Sequence, residues 1–223
     1  MNEFEGYPAE GLDFLRALGT SDKDWFDANR ATYQASVVAP TKAFVTTIGK
    51  RLATDIAPDI VAQPKSNGSM APINNDLRFS PDKPPYKDHL LLRFWEGDEK
   101  KTAPTLFIRI SADDVGFATG TALPDLALWR ELIDDDATGD ALCDALTALG
   151  RGRDLDVAGA GYKRVPKPYT EDHPRAGLLR HKMIQARWAE PTPPDVHSAM
   201  FVDFCMERLT ACAPVHRWFV TSL

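Results

Sequence analysis

The chain has 223 residues, with 26 Lys and Arg against 32 Asp and Glu, and its formal net charge is −6. This length supplies a hydrophobic core without disulfides, and the acidic balance argues against a protein that coats nucleic acid by bulk charge. The hydrophobic fraction of 43% and the charged fraction of 26% are typical of a globular chain and exclude a disordered one. We therefore expect any anion to be bound by a local basic patch.

Cysteine usage and the N-terminus bear on the cellular compartment. Cys143, Cys205 and Cys212 are odd in number and lack C-x-x-C spacing, so they indicate neither a disulfide framework nor a zinc ribbon. Residues 1–10 carry no Lys or Arg, unlike a secretory signal, and no apolar run approaches the ~18 residues of a membrane span. We expect reduced thiols, a cytoplasmic location and no membrane partner.

Helical spacing of apolar residues dominates the first part of the chain. The spacing over residues 8–18 predicts a short amphipathic helix that Gly19 ends. Asp22 is typical of the N-cap of a second helix. Pro40 either interrupts the apolar pattern that follows or occupies the first position of a further helix, where its missing N–H is harmless.

Extended patterns follow a segment rich in Pro, Gly and Asn. Strands are predicted at residues 89–95, 104–111 and 115–121, and the polar turns between them indicate an antiparallel sheet. Helical spacing returns after Pro124. Residues 175–190 fit a helix that runs into a strand, and their type stays open.

These patterns together predict an α+β fold in which an antiparallel sheet of short strands is flanked by N-terminal and C-terminal helices. We expect one domain over residues 1–223. Its parts are a helical N-terminal part at about 8–58, a sheet part at about 69–121, and a helical and loop C-terminal part at about 124–223.

Residues 74–89, NNDLRFSPDKPPYKDH, form a first polar segment of mixed charge. Because proline restricts φ, cations on this segment can be ordered before an anion arrives. Arg78, Lys83 and Lys87 are the candidate anion-binding residues, and Asp76 is a candidate catalytic residue that handles protons. The alternative is a solvated loop whose charges pair with one another.

Residues 162–183, YKRVPKPYTEDHPRAGLLRHKM, form a second polar segment that is basic within an acidic chain. Arg180 and Lys182 are candidate anion-binding residues. Because they are two residues apart, they share one face if the segment is a strand, whereas on a helix they point nearly opposite ways. Asp172 and His173 are candidate catalytic residues, because a carboxylate can orient an imidazole for proton transfer. As an alternative, Asp172 is a helix cap.

The common signatures of nucleotide-binding and hydrolytic enzymes are absent from the sequence. There is no G-x-G-x-x-G, Walker loop, H-E-x-x-H or G-x-S-x-G. The acidic run at 134–136 lacks EF-hand spacing and is typical of a solvated turn. We predict no metal site, and the sequence points to no cofactor.

Several motifs of the chain occur together in a known pattern. The sequence resembles the uncharacterised domain of unknown function 2461 family over almost its whole length, in DWFDANRATY at 24–33, RFSPDKPPYK at 78–87, G-x-x-x-P at 120–124, DHP at 172–174 and LLRHK at 178–182. The resemblance implies a single-domain α+β protein and brings no established reaction. It adds Arg130, which follows the G-x-x-x-P motif, to the anion-binding candidates. Asn75 and Pro168 depart from the pattern, where Arg and Gly are usual.

Two classes of function follow from these residues. We expect binding, or hydrolysis, of a small anionic ligand such as a phosphate ester, nucleotide or polycarboxylate, in a pocket where the two polar segments meet. The alternative is a non-catalytic interaction or scaffold module whose charged segments form structural ion-pair networks. A nucleic-acid partner is disfavoured by the acidic total charge.

Overall fold

The computed structural model describes residues 3–78 and 82–223, and its mixture of helices with one antiparallel sheet confirms the predicted α+β class. Phe79, Ser80 and Pro81, which belong to the predicted Pro-rich segment, lie outside the described residues. The helices are α1 (Ala9–Leu18), α2 (Lys23–Ala28), α3 (Arg30–Thr32), α4 (Ala39–Asp55), α5 (Leu126–Asp134), α6 (Asp136–Gly150), α7 (Ala176–Leu179) and α8 (Met200–Ser222). The strands are β1 (Ile60–Val61), β2 (His89–Glu96), β3 (Thr105–Ser111), β4 (Asp114–Ala122), β5 (Asp156–Ala160) and β6 (His181–Pro191).

Local signals determine where the N-terminal helices begin. The Asp22 carboxylate accepts a hydrogen bond from the Trp25 N–H over 2.8 Å and caps α2, as predicted. A π-helical turn, Tyr33–Val38, leads directly into α4, and Pro40 lies in the first turn of that helix. Of the two expectations for Pro40, the structure therefore shows the helix start, because a first-turn residue needs no N–H partner.

The six strands form one sheet in the order β1-β2-β3-β4-β6-β5. The three predicted strands correspond to β2, β3 and β4, with ends that agree within one residue. In β3, Leu106, Ile108 and Ile110 are buried, as their alternation with Phe107 and Arg109 predicts.

Residues 151–190 hold the largest difference from the predicted elements. Helix α7 ends one residue before strand β6 begins. Residues 175–190 therefore form a short helix followed by a strand, as one of their sequence patterns suggests. β5 was not predicted, because the sequence DVAGA has low intrinsic strand propensity. β5 forms because β6 supplies an antiparallel partner for it. Gly159, at φ +111°, lies where the register of this pair is irregular.

The chain divides into two units, and the prediction of a single domain stays a prediction. The first unit comprises Met1–Phe94, Phe107–Gly116 and Ala189–Arg208, and the second comprises Trp95–Leu106, Phe117–Trp188 and Leu209–Leu223.

Aromatic rings fill the core of the first unit. The Phe44 ring lies 4.9 Å from that of Phe4 and 5.5 Å from that of Phe201, measured between centroids. Tyr7 is buried in the same cluster, and desolvation raises the pKa of its hydroxyl. Helix α4 is thereby fixed to the start of the chain and to α8.

Two tryptophans organise the core of the second unit. Trp129 on α5 is fully buried and its ring packs edge-on against Trp218, with 5.9 Å between centroids. The indole N–H of Trp129 donates to the Leu178 carbonyl over 2.9 Å, which fixes α7 and the start of β6 beside α5.

Among the described residues, no helix has the length and the apolar character that a membrane crossing requires.

Candidate functional site

In the first polar segment, Arg78 is paired within the segment itself. Its Nε and Nη2 donate to the two carboxylate oxygens of Asp76 over 3.0 and 2.7 Å. These bonds hold the pKa of Asp76 below its ordinary value. Both side chains are exposed, so this fork is a surface pair of the first unit.

Lys87 stabilises the same segment through backbone carbonyls. Its Nζ donates to the carbonyls of Pro72 and Asn74 over 2.5 and 2.6 Å. Burial lowers the pKa of the Lys87 ammonium. Asn75, which departs from the family pattern, donates from its amide to the carbonyls of Pro84 and Tyr86.

Lys83, the third predicted cation of this segment, is exposed. Its side chain enters no hydrogen bond or ion pair within residues 3–78 and 82–223. Arg78 and Lys87 thus have local partners in the first unit, whereas Lys83 extends into solvent.

The second polar segment is attached to α6 by the buried guanidinium of Arg175. Its Nε donates to the Ile133 carbonyl over 2.6 Å, and its Nη1 donates to the Asp140 carboxylate over 2.5 Å. A Cβ on Gly139 would lie 2.6 Å from the Arg175 Nε, so only glycine leaves room for this side chain. Arg175 was not a candidate residue, since a basic residue in a basic segment carries no signal of burial.

His173 has a different partner from the predicted one. Its Nε2 lies 3.1 Å from Oδ1 of Asp134, and its Nδ1 accepts the Arg175 N–H over 3.0 Å. The first contact makes Nε2 the protonated nitrogen and leaves both ring nitrogens occupied. Asp172 is exposed, and the carboxylate that orients His173 comes from the end of α5 instead.

Arg130 and Lys182 both contact one aromatic ring. The Arg130 guanidinium carbon lies 5.4 Å, and the Lys182 ammonium 4.3 Å, from the centre of the Tyr162 ring. A Cβ on Gly161 would lie 2.6 Å from Cδ of Lys182, so the glycine leaves a path for the lysine stem. The Arg130 Nε is buried and has no hydrogen-bond partner among the described residues.

The backbone of Arg180 is hydrogen-bonded to the backbone of Tyr162. Its backbone carbonyl accepts the N–H groups of Gly161 and Tyr162 over 2.9 and 3.1 Å. Its Nη2 pairs with the Glu171 carboxylate, whose pKa is lowered first by the Val165 N–H and then by Arg180. We call Arg130, Tyr162, Arg180 and Lys182 the basic cluster.

A cleft of about 480 Å³ opens beside the basic cluster in the second unit. It lies between α6, β5 and the α7–β6 junction, and Arg180 and His181 both line it. His181 is 5% exposed, and its Nδ1 lies 3.1 Å from the Gly177 carbonyl. The cleft could not be predicted from the sequence, because one of its walls is strand β5, whose residues have low strand propensity.

The predicted cations therefore divide between the two units. Arg130, Arg180 and Lys182 come together in the second unit, around Tyr162. Asp76, Arg78, Lys83 and Lys87 belong to the first unit. Within the described ranges, no three His, Cys, Asp or Glu side chains are grouped as metal ligands would be.

Comparison with known proteins agrees with the resemblance noted in the sequence. A search of the curated proteins gives no significant match to this chain. The model of a family described as conserved hypothetical protein (DUF2461) matches residues 10–218. That match includes every motif that carried the resemblance, and Gly120 of the G-x-x-x-P motif has a structural reason: a Cβ there would lie 2.4 Å from the Ile184 carbonyl oxygen on β6. The chain belongs to the DUF2461 family.

Proposed function

We propose that the second unit binds a small anionic ligand, such as a phosphate ester, nucleotide or polycarboxylate, at the basic cluster. The observation that supports this most is the placement of Arg130 and Lys182 over the same ring. Within the described part of the chain, neither cation forms a salt bridge with a carboxylate. Both cations are therefore available to attract a bound anion.

The chemistry of the three cations suits an oxyanion. Arginine offers a planar fork that matches phosphate and carboxylate oxygens, and lysine adds a mobile point charge. Arg180 pairs with Glu171, whose side chain is half exposed. Because an exposed pair contributes little to stability, an arriving anion can displace Glu171 from this guanidinium.

The proposal concerns binding, and the predicted hydrolysis stays a prediction. His173 has both ring nitrogens occupied by Asp134 and the Arg175 N–H, so it has no lone pair to offer a substrate in this arrangement. The predicted roles of Asp76 and Asp172, and of the cations of the first unit, likewise stay predictions.

The alternative hypothesis, a structural ion-pair network, is favoured for a different part of the second polar segment. Arg175 is buried, bonded to carbonyls at the α5–α6 junction, and paired with Asp136 and Asp140. This arrangement stabilises the segment whether or not a ligand binds. The two hypotheses therefore concern different residues and can be tested separately.

The proposal can be tested by thermal-shift titration of the full chain at low salt. The probes are inorganic phosphate, pyrophosphate, citrate and adenosine monophosphate. An anion at a hundredfold excess over its Kd stabilises the folded chain by about 2.7 kcal/mol. For a chain of this size, that corresponds to a rise in melting temperature of about 5 to 11 °C.

A matched pair of double variants locates the binding site. Arg130→Gln with Lys182→Gln removes two charges from the basic cluster, whereas Lys163→Gln with Lys167→Gln removes two exposed charges from the same segment. We expect the first pair to abolish the rise and the second to keep it. The proposal is wrong if the wild-type chain shows no rise, or if both double variants respond equally.

A further inference from the structure

The cleft beside the basic cluster is largely apolar and belongs wholly to the second unit. Its volume of about 480 Å³ lies in the range of small-molecule sites, which combine apolar walls with a few directed polar groups. The residues that line it are Cys143, Leu146 and Thr147 of α6, Val157 and Ala160 of β5, Gly177 and Leu178 of α7, and Arg180 and His181.

His181, which lines this cleft, carries a polar atom without a partner among the described residues. Its Nδ1 lies 3.1 Å from the Gly177 carbonyl, which only an N–H can bond, so Nδ1 carries the proton and Nε2 carries a lone pair. Nε2 is buried and has no hydrogen-bond partner among the described residues. A buried acceptor without a partner is unfavourable, and a donor group on a ligand would satisfy it.

Arg180 brings positive charge to the same cleft. Its Nε is also buried and lacks a hydrogen-bond partner among the residues that the structure describes. Arg180 is therefore common to the cleft and to the basic cluster, and it directly precedes His181 in the chain. One ligand can reach both features only if it has an anionic end and an apolar end.

We propose that the ligand of the basic cluster is a phosphate monoester with an apolar substituent, and that this substituent occupies the cleft. The phosphoryl oxygens pair with Arg180, and the P–OH of the monoanion donates to Nε2 of His181. This inference rests on the proposed function, which it narrows from small anions in general. A polycarboxylate without an apolar body would leave the cleft empty and Nε2 without a donor.

Calorimetric titration of the full chain with phenyl phosphate and with inorganic phosphate tests the inference. We expect phenyl phosphate to bind at least about tenfold more tightly, a difference of ~1.4 kcal/mol. Thr147→Trp fills the cleft from an exposed position of α6, and Ala148→Trp is its control on the next, exposed residue that does not line the cleft. The preference for phenyl phosphate should disappear only in Thr147→Trp, while both variants keep their affinity for inorganic phosphate.

Cys143 supplies a second measurement that needs no variant. Its thiol lines the cleft, so phenyl phosphate should slow its reaction with N-ethylmaleimide, whereas inorganic phosphate should not. Equal affinity for the two anions, with no protection of Cys143, would overturn the inference and leave the proposed function standing. If neither anion binds, the proposed function fails and this inference fails with it.

Discussion

The Arg175 guanidinium lies 3.0 Å from the Asp136 carboxylate, although the arginine side chain is 5% exposed and the aspartate side chain 94%. The buried partner is therefore the cation, which also bonds the carbonyls of Ile133 and Asp134. Removing it leaves those carbonyls without donors, while the carboxylates stay solvated. The pair thus fixes the second polar segment to the α5–α6 junction.

Replacing Arg175 should destabilise the chain more than replacing an exposed arginine. We expect Arg175→Ala to lower the free energy of unfolding by about 3 kcal/mol. The control is Arg187→Ala, whose pair with Asp156 is half exposed on both sides and should contribute less than ~1 kcal/mol. Urea unfolding followed by circular dichroism measures both, and equal losses would contradict the structural role of Arg175.

His216 should make the stability of the chain depend on pH. The residue is 2% exposed, its Nε2 lies 3.0 Å from Oε2 of Glu96, and its Nδ1 is buried without a hydrogen-bond partner among the described residues. Burial lowers the pKa of His216, and the Glu96 hydrogen bond opposes this shift only in part. An unfolded histidine binds its proton near pH ~6.5, so below that pH the unfolded chain holds the extra proton.

We therefore expect the stability that His216 contributes to be complete above about pH 7 and to fall as the pH drops through 6.5, by at most ~1.4 kcal/mol per pH unit. His216→Gln keeps a donor for Glu96 and cannot titrate. Urea unfolding from about pH 7.5 to about pH 5.5 should show a smaller loss in this variant than in the wild-type chain. Parallel curves would show that His216 does not cause the loss.

Two lysines of the first polar segment should behave differently. Lys87→Met removes the donor to the Pro72 and Asn74 carbonyls, and we expect it to lower the free energy of unfolding by about 1 to 2 kcal/mol. Lys83→Met changes an exposed side chain and should stay within ~0.5 kcal/mol. Both are measured without added anions. A Lys87→Met variant as stable as the wild type would show that this lysine is free for another role.

The three thiols should differ in their reaction with Ellman's reagent. Cys205 and Cys212 are buried in α8, and burial raises the pKa of both thiols, that of Cys212 to about 12. Cys143 is half-buried on α6, and desolvation raises the pKa of its thiol as well. We expect only Cys143 to react in the folded chain, and slowly, and all three to react in denaturant. Reaction of a second thiol in the folded chain would contradict the burial of α8.

Local patterns in the sequence determined most of the helices and strands. The spacing of apolar residues predicted α1, α4 and the strands β2 to β4, because period and propensity act within one element. The cap at Asp22 was equally readable, since its acceptor lies three residues away. β5 could not be predicted, because its pairing with β6 stabilises a sequence of low strand propensity.

The residues of the candidate site were also predictable only in part from the sequence. The sequence by itself determined that residues 162–183 are locally basic and that Arg180 and Lys182 belong to that segment. Only the tertiary structure decided that Arg130 and Lys182 share the Tyr162 ring, that Asp134 orients His173, and that His181 lines a cleft. These contacts join residues far apart in the chain, and their formation depends on how α5, α6 and β6 pack, which no local propensity specifies.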